Sequence, residues 1–93
     1  MSRPQVQHKA PGDRLDFVVN FDRWLEVGDR LIDATSSIEG GTAIIAETLH
    51  DDTAIRVWIE GGADGETNHV TVIATTLQGR TKEACFSLRI RDC

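Results

Sequence analysis

Thr81-Lys82-Glu83-Ala84-Cys85-Phe86-Ser87-Leu88-Arg89-Ile90-Arg91 is the stretch that decides the fold. Ala84, Phe86, Leu88 and Ile90 fall on every second position, and Cys85, Ser87, Arg89 and Arg91 fill the positions between. Successive side chains of a strand point to opposite faces, so this pattern makes one apolar and one polar face. A helix would scatter the same residues around its axis. The stretch therefore reads as a strand lying with one face on a core.

The same period recurs upstream. In residues 67–77, Val70, Val72 and Ala74 face one way and Thr71, Ile73 and Thr75 the other. In residues 53–60, Ile55, Val57 and Ile59 alternate with Ala54, Arg56 and Trp58. Residues 42–49 are β-branched and apolar, a strand whose two faces do not separate. In residues 31–38, Ile32, Ala34, Ser36 and Ile38 are expected on one face. Leu15, Phe17 and Val19 alternate with Asp16, Val18 and Asn20 as a first strand. Gly28-Asp29, Gly40-Gly41, His50-Asp51-Asp52, Gly61 to Gly65 and Gln78-Gly79 read as turns and loops between them. Asp22 is expected to N-cap one short helical turn through Trp24 and Leu25. Phe21, Trp24 and Leu25 are expected to plug one end of the core.

About seven short strands with turns every 8–12 residues predict an all-β fold, a sandwich or barrel. Residues 1–13 read as an extended N-terminal arm, because Pro4, Pro11 and Gly12 break regular structure and only Val6 and Ala10 are apolar. Residues 14–93 form the single domain. A domain of this size buries only about 60–65% of its unfolded surface, so assembly with other chains is one route to added stability.

The net charge of −5 argues against non-specific nucleic-acid binding, which needs a dense Lys/Arg surface. No apolar run reaches the roughly 18 residues of a membrane span. The first thirteen residues lack the apolar stretch of a secretory signal, so folding in the cytoplasm that makes the chain is expected. Cys85 and Cys93, if extended, lie on the order of 26 Å apart, too far for a disulfide.

Catalytic patterns are weak throughout. His8, His50 and His69 lie in the arm, a loop and a strand, and none has the helical spacing of a metal pair. Gly61-Gly62-Ala63-Asp64-Gly65 joins two strands and so is a turn, whereas a phosphate cradle leads into a helix. No Gly-x-Ser-x-Gly elbow occurs, and nothing beside Cys85 would lower its pKa. No enzyme activity, cofactor or metal is expected.

Binding is the better expectation. Trp58 points outward between Arg56 and Glu60 if Ile55, Val57 and Ile59 face the core, and Trp and Arg are enriched among binding hot spots. Arg89 and Arg91 share the outward face of the last strand, and with Arg56 they are expected to form a basic strip for an acidic neighbour.

Four pieces in order carry a family resemblance. Lys9, Pro11, Asp13, Leu15, Asp16 and Phe17 open it; Asn20, Phe21, Trp24, Leu25, Gly28 and Asp29 follow. Gly61, Gly62 and Gly65 make a later turn, and Thr75, Thr76, Gly79, Arg80 and Thr81 precede the last strand. In this order and spacing the chain resembles the small immunoglobulin-like phage proteins called fiber-tail adaptors, over about residues 9–92. Phe21 stands where the family often has Trp, and Asn68 where an aromatic is common. The resemblance implies an immunoglobulin-like β-sandwich and a non-enzymatic structural role in the tail or neck of a tailed-phage virion. The protein would link the tail or connector to fibres or neighbouring virion proteins, as one copy of a homo-oligomeric ring. Capsid decoration and host-surface recognition are the alternatives. The interface candidates are Lys9, Pro11, Arg56, Trp58, Arg89 and Arg91.

Overall fold

A computed structural model describes residues 5–93. The chain is all-β, with seven strands and no helix among the described residues. They are β1 Gln5–Lys9, β2 Leu15–Asn20, β3 Leu31–Glu39, β4 Ala43–His50, β5 Ala54–Gly61, β6 Thr67–Thr76 and β7 Thr81–Ile90. They form a four-stranded sheet in the order β1-β7-β6-β3 and a three-stranded sheet in the order β2-β5-β4. Every pairing is antiparallel except that of β1 with β7.

The alternation in β5, β6 and β7 converts directly into burial. Ile55, Val57 and Ile59 on one sheet and Val70, Val72, Ala74, Leu88 and Ile90 on the other are all 0% exposed and form one core. Full burial of a side chain this size contributes about 1.5–3 kcal/mol, so these two inner faces dominate the stability.

Two β-bulges explain where simple alternation fails. In β3 the register to β6 shifts between Leu31 and Asp33, which leaves Ile32 as the extra residue. Leu31 is thereby buried and Ile32 is exposed, the reverse of the face expected for Ile32. In β4 the shift falls between Ile45 and Glu47, with Ala46 extra. A bulge opposes two residues to one and reverses the inward set beyond it, which is why residues 42–49 show no clean faces in sequence.

Residues 5–9 of the expected arm form β1, parallel to Phe86–Ile90 of β7. Backbone hydrogen bonds hold this strand, and they leave no trace in its polar side-chain pattern. Residues 1–4 of the arm lie outside the described residues.

The segment after β2 is a turn, not a helix. Trp24 N and Leu25 N both donate to the Phe21 carbonyl, at 2.9 and 3.0 Å, and the turn goes no further. Asn20 Oδ1, not Asp22, accepts the capping bond, from Asp22 N at 2.8 Å. Phe21 is buried and Trp24 and Leu25 pack against the core beside it. Loop bonds Phe21 N to Thr53 O and Leu77 N to Arg30 O gather the neighbouring loops over this end.

The opposite end is tied by Glu66 and Gly62. Gly62 has φ of 100°, and a Cβ there would lie 2.9 Å from Ile90 Cγ1, so both backbone and packing require glycine. Glu66 Oε1 accepts from Thr42 N at 2.9 Å and Thr42 Oγ1 at 3.0 Å. The Thr42 amide is the main cause that lowers the Glu66 pKa from 4.5 to about 2, against the opposing effect of burial. In that window the unfolded chain binds a proton that the folded chain does not. The contribution of Glu66 is therefore complete above pH 4.5 and is lost as pH falls towards about 2. Denaturant unfolding measured from pH 7 to pH 2 should show this loss, and Glu66→Gln should flatten it. Some slope will remain in the variant, because two other carboxyls are also lowered. Burial pushes Asp29 up, but hydrogen bonds from Thr76, Gln78 and Arg30 outweigh it, and the Thr53 and Ala54 amides hold Asp51 down.

Candidate docking surfaces

The outer face of the three-stranded sheet is built by the residues between the core positions of β5. Trp58 sits there, half-buried, with Asp16 of β2 and Glu47 of β4 as its cross-strand neighbours. The guanidinium of Arg14 lies 4.7 Å from the centre of the Trp58 ring. Arg14 also meets Glu60 at 3.4 Å, and Arg56 pairs with Asp16. Val18, Ile44 and Leu49 are more than two-fifths exposed on the same face. On this face Trp58, Val18, Ile44 and Leu49 are interspersed with the ion pairs Arg14–Glu60 and Arg56–Asp16 and with Glu47. Such a face sets a rigid aromatic and exposed aliphatic side chains beside arginines, residue types that interfaces use.

The remaining sequence candidates fall elsewhere. Arg89 and Arg91 are exposed, Arg89 on the outer face of the four-stranded sheet. Arg56 belongs to the other sheet, so the three arginines do not make the single strip expected of them. Lys9 is only 3% exposed, and its Nζ donates to the Ala10 carbonyl at 2.7 Å. Its side chain is thus covered by its own domain. Pro11 is half-buried in the turn that follows β1.

A second surface was not legible in the sequence. A groove of about 470 Å³ runs between β2 and β7. Phe17 and Phe86, with ring centres 5.7 Å apart, line it together with Val19 and Ala84. Phe21 and Trp24 close one end, in edge contact at 6.2 Å. Arg23 and Lys82 stand at its border. The groove exists because β2 and β7 belong to different sheets, and no periodicity reports that juxtaposition.

The carboxylates and imidazoles serve structure where their bonds are seen. Asp51 Oδ1 accepts from Thr53 N at 2.9 Å and Ala54 N at 2.8 Å and so caps the loop before β5. Asn68 is fully buried, with Nδ2 3.4 Å from Glu66 Oε1. This departure from the expected aromatic therefore changes the interior and leaves the outer surfaces untouched.

The model of one protein family, described as podophage GP4 fiber-tail adaptor protein gp77, matches residues 9–89. No curated protein matches the chain. The matched span runs from the last residue of β1 almost to the end of β7, and so takes in both sheets and both surfaces.

Proposed function

The chain belongs to the podophage fiber-tail adaptor family, and from that premise we propose that it is a structural protein of a phage tail that joins tail fibres to the tail. The observation that carries this reading is the family match over residues 9–89 of 93. The role needs surfaces and no chemistry of its own. Trp58 and its neighbours supply one such surface, and the exposed Arg89 on the other sheet, with Arg91 just beyond the end of β7, a further one.

The proposal includes an immunoglobulin-like sandwich. Its support is the sheet order, in which the second, fifth and fourth strands form one sheet and the seventh, sixth and third the other, with the first strand laid on the seventh. It also includes a closed ring of copies, the assembly that head-to-tail contacts produce when the rotation closes.

A phage deleted for this gene tests the linking role. Particles should form heads and tails yet lack fibres, and the gene supplied in trans should restore them. Fibres present on the deletion particles would refute it.

A further inference from the structure

The groove between β2 and β7 has three properties that together specify an occupant. The first is backbone. Among the described residues β2 pairs only with β5, so its outer edge, along the groove, carries unpaired N–H and C=O groups. Such an edge is satisfied by another extended segment, which adds to it as a strand. The second is the apolar lining of Phe17, Val19, Ala84 and Phe86, which suits apolar side chains at alternate positions of that segment. The third is charge. Arg14, Arg56 and Arg80 face Glu60, Asp16 and Glu26. Arg23 and Lys82, at the groove, have no ion-pair partner among the described residues, although the chain carries a net charge of −5. Two free cations beside an apolar trough on an acidic protein favour a segment that brings carboxylates.

We propose that this groove receives an extended segment of a neighbouring tail protein, apolar at alternate positions and acidic where it meets Arg23 and Lys82. The inference rests on the adaptor reading and names the surface through which it works. A strand lodged this way is held by repeated backbone bonds, while its side chains select the partner. That mode suits a small domain, because the binding groups are already fixed by the two sheets and little is lost in ordering them.

Cys85 lines the groove and is an exposed free thiol, and in the Cys93→Ser chain, which lacks the other exposed free thiol, it is the single reporter. A water-soluble maleimide should label it readily in the isolated chain and at least about tenfold more slowly in purified particles. Arg23→Glu with Lys82→Glu should leave the melting temperature unchanged and reduce incorporation of the chain into particles. A photo-cross-linker attached at Cys85 should join it, in particles, to an acidic and apolar stretch of a different protein. Equal labelling of Cys85 in particles and isolated chain would overturn the inference and leave the adaptor reading standing. Faster labelling of the isolated chain after removal of residues 1–4 would make the protein's own N-terminus the occupant and overturn it. Cross-linking to a second copy would overturn it too, as would unchanged incorporation of the charge-reversed variant. Particles that lack the chain altogether would overturn the adaptor reading and this inference with it.

Discussion

Leu88→Ala should lower stability by about 2–5 kcal/mol, the range seen when a buried leucine is truncated. Leu88 is 0% exposed in the second half of β7, packed in the core shared by both sheets. The inner faces are formed by β-strands pinned in register, so they cannot easily collapse into the space left behind. Small domains unfold with about 5–15 kcal/mol in hand, so this one change removes a large share. At about 4–8 °C per kcal/mol for a domain of this length, the thermal midpoint should fall by at least about 8 °C. Arg89→Ala, one residue along on the outer face, should change stability by less than about 0.5 kcal/mol. Thermal unfolding of the pair measures the contrast directly, and equal losses would contradict the facing assigned to β7.

Trp58→Ala should show the opposite balance. The ring is half-buried and its guanidinium neighbour, Arg14, lies 4.7 Å from the ring centre. Loss of that contact should cost the isolated domain about 1 kcal/mol. Binding should suffer more, because a tryptophan at an interface centre contributes about 2–4 kcal/mol. Two kcal/mol corresponds to about a thirtyfold loss of affinity. Competition of variant and native chains for incorporation into particles, set beside their melting temperatures, separates the effects. A stability loss of about 3–5 kcal/mol would instead mark Trp58 as core.

Much of the fold was legible because strand periodicity and burial are the same fact seen twice. Phe86, Leu88 and Ile90 alternate in the chain and are buried in the structure. The pattern failed where backbone geometry overrides alternation. The bulge at Ile32 turned outward a residue that its spacing placed on one face with Ala34, Ser36 and Ile38, and the bulge at Ala46 blurred β4. β1 was hidden for a different reason, since its attachment to β7 is made by main-chain groups. Among the surfaces, Trp58 could be placed from its position between Val57 and Ile59. The groove could not, because Phe17 and Phe86 are far apart in sequence and meet only when the sheets pack. Lys9 illustrates the converse. A charged residue in an apparent arm invites a docking role, yet β1 carries it under its own domain.

The most direct test of the central claim is the position of this chain in the intact phage, by cryo-electron microscopy of purified virions. The account predicts density for these two small sheets in the tail, between a fibre and the tail body, with the Trp58 face or the β2–β7 groove against another protein. Density on the capsid shell, or a particle without the chain, would contradict it.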